Sequence, residues 1–241
     1  MKLEGKNAVL EALKSDVKIN KVLLIKDIKD NFQQKVITIL KEKSIPYYYV
    51  EKEILDKESE TSHHQNIIGF MSDYQYATVE DMLFLANEKN EDVFLVILDG
   101  IEDPHNLGSI IRTAECAGVH GVIIPKNNAA KVNETVIRTS AGSVNHMLVA
   151  QVTNINQTIR DLKQKNVFCY ALEANGESIY KCNLKGHIAL ILGSEGFGVS
   201  KLTKELCDQI ISLPMFGKIN SLNASVAGAI GIYEAVKQRK I

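Results

Sequence analysis

Ile188-Ala189-Leu190-Ile191-Leu192-Gly193-Ser194-Glu195-Gly196-Phe197-Gly198 joins five consecutive apolar residues to a glycine-rich turn. A run without alternation has no polar face to offer water, so it reads as a strand covered on both sides, as in the centre of a parallel sheet. Phe94-Leu95-Val96-Ile97-Leu98, ending at Asp99, repeats the pattern. Around these two, strands are expected over 93–98, 121–124, 146–152, 167–172, 188–192 and 209–213, with helices near 106–117, 134–140, 155–165, 201–207 and 222–238. The alternation predicts an α/β fold with a parallel sheet between helices.

Upstream lies a smaller alternation: helix 7–14, strand 21–25, helix 31–43, and strands 46–50 and 66–71. A polar stretch follows, carrying Tyr74-Gln75-Tyr76 and a charged helix over 79–89. The expected organisation is a small α/β domain over 1–73, a linker and connecting helix over 74–90, and the larger domain over 91–241.

Composition narrows the function. With 28 basic and 29 acidic residues there is no global field to attract a polyanion, so any such site must be a local patch. Cys116, Cys169, Cys182 and Cys207 stand far apart with no C-x-x-C pair, which argues against structural zinc and a disulfide framework and for a reduced, cytoplasmic setting. No set of residues has metal-ligand spacing, and His63 and His64 read as loop residues. The start, Met1 to Lys6, lacks a signal-peptide core, and no apolar run reaches the roughly 18 residues of a bilayer span, so a soluble protein is expected.

Three segments make unusual chemical demands, each linking the end of an apolar run to a polar turn, where α/β proteins bind ligands. In the first, Asp103-Pro104-His105-Asn106-Leu107-Gly108, with Arg112 further along, a capped helix start explains Asp103 and Pro104. It explains Asn106 and Arg112 less well, since an arginine near the rim can clamp a phosphate or carboxylate. In the second, Gly193 to Gly198, the spacing is G-x-x-G-x-G, not the dinucleotide fingerprint G-x-G-x-x-G, and Glu195 would repel a pyrophosphate. An acid there suits a cationic or hydroxyl-bearing ligand, such as a sulfonium. In the third, Leu213-Pro214-Met215-Phe216-Gly217 runs on to Ser221-Leu222-Asn223, where Ser221 and Asn223 can cap a helix, contribute to a site, or do both. The small residues from Ala224 to Gly231 let that last helix approach another backbone closely, in the same chain or a twin subunit.

Together these segments resemble the SpoU (TrmH) branch of the SPOUT methyltransferases. Gly5-Lys6-Asn7-Ala8-Val9-Leu10-Glu11-Ala12-Leu13 and His64-Gln65-Asn66-Ile67-Ile68-Gly69 resemble that branch's substrate-binding domain. The resemblance implies a C-terminal trefoil knot, a homodimer, and transfer of a methyl group from S-adenosyl-L-methionine to a ribose 2′-hydroxyl of RNA. It further points to a guanosine of 23S ribosomal RNA, with a transfer RNA nucleotide or a non-catalytic RNA-binding module as alternatives. By the same likeness Gly193, Leu213 and Leu222 hold the cofactor, while Asn106, Arg112, Glu195, Ser221 and Asn223 take catalytic and substrate-binding positions. The segment from Lys131 to Asn145 follows the family's Lys-to-Ser-Ala-Gly stretch, with Asn145 where an acid is expected.

Positioning dominates such a reaction, because the donor already carries an activated methyl and two ligands need only be held near ~3 Å in line. A guanidinium is a poor base at neutral pH, which makes Arg112 a positioner first. In the small domain Lys2, Lys6, Lys14, Lys18, Lys21 and Lys26, with Tyr47, Tyr48 and Tyr49, are candidate RNA contacts. Solvated surface for the lysines and core packing for alternate tyrosines are the structural alternatives.

Overall fold

The computed structural model describes residues 2–14, 19–26, 30–71 and 74–240, and the chain divides into compact units over 1–74 and 75–241. Lys18 lies outside the described residues.

The first unit contains β1 (Lys2–Glu4), α1 (Lys6–Lys14), β2 (Ile19–Ile25), α2 (Asn31–Glu42), β3 (Tyr47–Val50), α3 (Lys52–Glu58) and β4 (Ile67–Met71). Its sheet has the order β1-β4-β2-β3, with β4 antiparallel to both neighbours and β2 parallel to β3. Leu23, Ile68 and Leu55 form an apolar cluster between the sheet and α3. Asp30 caps α2 by accepting from the Gln33 amide, a contact of the kind that contributes about 1 kcal/mol.

β1 and α3 are not marked by apolar periodicity. β1 has three residues, and α3 buries only Leu55 within a charged sequence. They are joined through polar chemistry: the Glu4 carboxylate accepts from Ser59 Oγ at 2.6 Å, the Glu60 amide at 2.5 Å and the Thr61 amide at 3.2 Å, and also from the Thr61 hydroxyl. Burial works against its charge, but these donors outweigh it and hold the carboxyl at about 2.

The second unit contains α4 (Val79–Glu88), β5 (Phe94–Asp99), α5 (Pro104–Cys116), β6 (Gly121–Pro125), α6 (Glu134–Thr139), β7 (Val149–Val152), α7 (Ile155–Gln164), β8 (Phe168–Ser178), β9 (Ile188–Gly193), α8 (Lys201–Leu206), β10 (Gln209–Ser212) and α9 (Ala224–Lys240). All strands run parallel in the order β10-β8-β9-β5-β6-β7. The two unalternating runs pair with one another at the centre, Phe94 opposite Ile188 through Asp99 opposite Gly193. Leu95, Ile97, Ala189 and Ile191 share a core with α7 and with Met82 and Ala86 of α4, so the helix read from sequence as a connector packs inside this unit.

On the other face α9 lies against α5, β8 and β9. A Cβ on Gly228 would meet Leu192 Cδ1 at 2.6 Å, so the small residues of this helix serve a close approach within the same chain. After β10 the chain passes through residues 213–223 and returns as α9 against α5, β8 and β9.

Among the boundaries that differ from the sequence-based expectation, three have a local physical reason. α9 starts at Ala224, not Leu222, because Asn223 serves as its cap. β7 starts at Val149, since Gly142 at φ +83° and a 3-10 turn at Ser143–Asn145 occupy its approach. β8 runs on to Ser178, but residues 172–176 loop out of its ladder with β10, which passes from Ala171 to Glu177 between Ile210 and Ile211.

Candidate active site

Three loops converge at the C-terminal rim of the parallel sheet, the position where open α/β sheets bind ligands. One follows β5, one follows β9, and one follows β10. On the first, Asp103 Oδ1 accepts from the His105 amide at 2.9 Å and Pro104 occupies the opening turn of α5. The cap therefore belongs to Asp103, which leaves Asn106 free for another task. Asn106 is buried, and its Nδ2 donates to Glu195 Oε1 at 3.1 Å.

Glu195 sits on the β9 loop, closed by reciprocal bonds between Ser194 and Gly198, N to O 3.2 Å and 2.9 Å. A Cβ on Gly193 would stand 1.9 Å from the Gly198 carbonyl carbon, so this tight return needs glycine at 193. Asn223 completes the cluster: its Nδ2 donates to Asn106 Oδ1 at 3.0 Å and also to Glu195 Oε1. Its Oδ1 accepts from the Ser225 amide at 2.9 Å and the Ser225 hydroxyl at 2.6 Å, capping α9. One oxygen of Glu195 is thus saturated by amides, while no donor among the described residues reaches Oε2. The carboxylate also lies at the positive end of the 17-residue helix α9.

Beside the cluster opens a cleft of about 720 Å³, within the range of small-molecule sites. Gly193, Leu213 and Leu222 line it with Leu172, Leu192 and Met215, and Ser221 stands exposed in its wall. The lining contains Glu173 and Glu195 and no basic side chain, a donor set that fits a cationic sulfonium with an apolar body better than a phosphate. The sequence reading missed Glu173 because it belongs to the looped-out part of β8. There it accepts from the Val199 amide and bolsters the β9 loop from behind. Asp99, which accepts from the Ser200 amide at 2.9 Å, supports the same loop and was legible as the polar end of an apolar run.

Arg112 stands apart from this group. Six residues beyond Asn106, it is turned by roughly 240° and carried about 9 Å along α5. Its side chain is exposed, lines neither the cleft nor the neighbouring cavity, and has no ion pair among the described residues.

The sequence over 93–233 matches the model of the SpoU rRNA methylase family, and residues 2–77 match that of the RNA 2′-O ribose methyltransferase substrate-binding domain. The chain belongs to the SpoU (TrmH) family of RNA methyltransferases. Among SpoU relatives, YacO of Bacillus subtilis, assigned to the TrmH tRNA/rRNA methyltransferases, is 42% identical over 98% of this chain and 94% of its own. A Staphylococcus aureus protein of strain COL, with the same assignment, is 39% identical over 98% of this chain and 95% of its own. The fold matches the SpoU methyltransferase AviRb of Streptomyces viridochromogenes, solved with AdoMet, at a TM-score of 0.69, with 21% identity over 99% of this chain and 90% of that one. TrmH of A. aeolicus, a tRNA-modifying enzyme, matches at a TM-score of 0.56 and 27% identity, over 61% of this chain and 75% of its own.

The remaining chemistry of this SpoU protein is quiet. Burial pushes the thiols of Cys169 and Cys207 up to about 12, so neither is a nucleophile at neutral pH. His64 is buried with Nε2 2.9 Å from Asp56 Oδ1 and Nδ1 accepting from the Asn66 amide, a structural role in its loop. Asn145 is exposed at the end of its 3-10 turn. In the substrate-binding domain Lys2, Lys6 and Lys26 pair with Glu58, Asp30 and Glu51, while Lys14 is exposed and Lys21 lies 4.6 Å from the Phe70 ring centre. None of the three tyrosines of β3 enters the core: Tyr48 and Tyr49 are exposed, and Tyr47 meets Tyr49 edge to face at 5.9 Å.

Proposed function

We propose that this protein transfers a methyl group from S-adenosyl-L-methionine to the ribose 2′-hydroxyl of a guanosine in 23S ribosomal RNA, acting as a cytoplasmic homodimer. The observation that carries the reading is the Asn106–Glu195–Asn223 cluster at the mouth of an acidic, glycine-walled cleft. In this reading Gly193, Leu213 and Leu222 hold the donor through their backbone, and the bound cofactor supplies an activated methyl with its own leaving group. The unfilled Oε2 of Glu195 orients the ribose hydroxyl or its water, held in place by the two asparagine amides. Ser221, in the cleft wall, adds a hydroxyl to the same region. Arg112 grips a phosphate beside the target ribose, a task suited to its exposed position and fork of donors. No metal is required for this chemistry, because the donor brings its own activated methyl.

RNA is the acceptor class because only RNA carries the 2′-hydroxyl. The exposed tyrosines of β3 offer stacking faces to it. A second subunit is supported by α9, where Val226, Ile230 and Tyr233, at i, i+4 and i+7, leave an apolar stripe open to solvent. Transfer RNA is the second reading, favoured by the tRNA/rRNA assignment of the relatives. The deciding experiment maps 2′-O-methyl positions in total RNA from a strain lacking the gene, with and without complementation. Loss of one guanosine methylation in 23S RNA is expected. Loss at a transfer RNA site alone replaces the substrate, and an unchanged map removes the function.

A further inference from the structure

The β9 loop has a cavity on each side. Ser194, Glu195 and Phe197 line both the large cleft and a second cavity of about 270 Å³, whose other walls are Gly100, Ile101, Glu102, Asp103 and Asn106. The Asn106–Glu195 contact therefore lies where the two meet. If the donor fills the larger space, the acceptor nucleotide has to arrive from the smaller one.

The chemistry of the smaller cavity selects which part of a nucleotide enters it. Its titratable side chains are Glu102, Asp103 and Glu195, with no basic group, so a phosphate is repelled and a group rich in N–H donors is favoured. Two of the carboxylates have one oxygen engaged, Asp103 Oδ1 by the His105 amide and Glu195 Oε1 by the asparagines, and the free Oε2 of Glu195 is the oxygen assigned to the ribose hydroxyl. Glu102 is exposed, and its side chain has no partner among the described residues.

Phe197 stands at the crown of the loop, 91% exposed, between Gly196 at φ +88° and Gly198 at φ +68°. A phenyl ring held in water on a hydrogen-bonded hairpin forgoes the burial that normally offsets its exposure. Stacking against a base taken out of its helix would recover it.

We propose that the smaller cavity seats the base of the target nucleotide, with Phe197 stacking on its face and Glu102 accepting the adjacent N1–H and N2–H donors of guanine. Only guanine has two donors side by side on its Watson–Crick edge, matching the two oxygens of one carboxylate. Adenine and cytosine place an acceptor next to their amino group, and uracil flanks its one donor with carbonyls. The inference rests on the 2′-O-methylation reading and makes Glu102 and Phe197 specificity-determining residues for it.

The test uses the full chain, labelled S-adenosylmethionine and protein-free ribosomal RNA from a strain lacking the gene, with products digested to nucleosides. The native protein is expected to yield 2′-O-methylguanosine. E102Q, which keeps one acceptor and replaces the other with a donor, should lower kcat/KM at least about tenfold while S-adenosylhomocysteine binds as before. F197A should raise the KM for RNA about tenfold, and F197Y, which keeps a stacking face, should restore it. Native kcat/KM in both E102Q and F197A overturns the proposal, while the 2′-O-methylguanosine product leaves the parent reading standing. A different 2′-O-methyl nucleoside from the native protein overturns the guanine assignment. F197A that weakens only S-adenosylhomocysteine binding assigns the ring to the larger cleft and overturns its stacking role. No transfer to this ribosomal RNA overturns the parent reading itself.

Discussion

Asn223 and Asn106, 117 positions apart in sequence, are joined by a direct hydrogen bond of 3.0 Å, and both donate to the same oxygen of Glu195. Asn223 has a second duty as the cap of α9. The two roles separate by substitution. N223S keeps an oxygen for the cap and loses the amide donors, whereas N223A loses both. N223S is expected to unfold within roughly 0.5 kcal/mol of the native protein and N223A about 1 kcal/mol below it, while both lose methyl transfer to a similar degree. Urea unfolding beside steady-state kinetics checks this. An active N223S would leave Asn223 as a cap only.

Arg112 makes a different prediction because it lines neither cavity. R112K preserves charge but not the planar fork, so turnover on RNA is expected to fall by at least about tenfold with affinity for S-adenosylhomocysteine unchanged. Calorimetry for the cofactor product and single-turnover transfer for the RNA separate the two effects. Undiminished transfer by R112K would remove Arg112 from the reaction.

What the sequence made legible follows the physics of burial. The runs from Phe94 and Ile188 had to be central strands, because five apolar residues without alternation leave no wet face, and they are paired at the centre of the sheet. The site segments were legible as polar turns following the apolar runs that end near Asp99, Leu192 and Leu213, and Asn106, Glu195 and Asn223 lie on or just beyond those turns. β1 and α3 were not, since Glu4 with Ser59, Glu60 and Thr61 joins them by polar contacts that leave no hydrophobic period. Glu173 was hidden for a related reason. A ladder that skips residues 172–176 has no counterpart in the local pattern, and only the fold brings that carboxylate behind the β9 loop.

The apolar stripe of α9 predicts the assembly state. Val226, Ile230 and Tyr233 are exposed on one side of a helix whose other side buries Gly228, Gly231, Ile232 and Ala235. I230D places a charge in the middle of the stripe without touching the packed side. Sedimentation velocity is expected to show a dimer for the native chain and a monomer for I230D, with thermal unfolding of the isolated chain little changed. A native protein that sediments as a monomer at all concentrations would remove the twin subunit from the proposed function.

Acid should loosen the small domain through Glu4. Its folded carboxyl is held at about 2 from an ordinary 4.5, so the folded state binds the proton less readily than the unfolded one. The stabilisation is therefore fully present above about pH 5 and is lost as pH falls through the interval between 4.5 and 2. The shift sets an upper limit of about 3 kcal/mol, reduced by solvent at this partly exposed strand. E4Q keeps the shape but removes the charge and turns one of the two acceptor oxygens into a donor. Thermal unfolding of both proteins at a series of pH values is expected to show E4Q less stable at pH 7 and the gap closing towards pH 3. A gap independent of pH would mean that the Ser59 and Thr61 contacts act through shape alone, with no contribution from the ionised carboxylate.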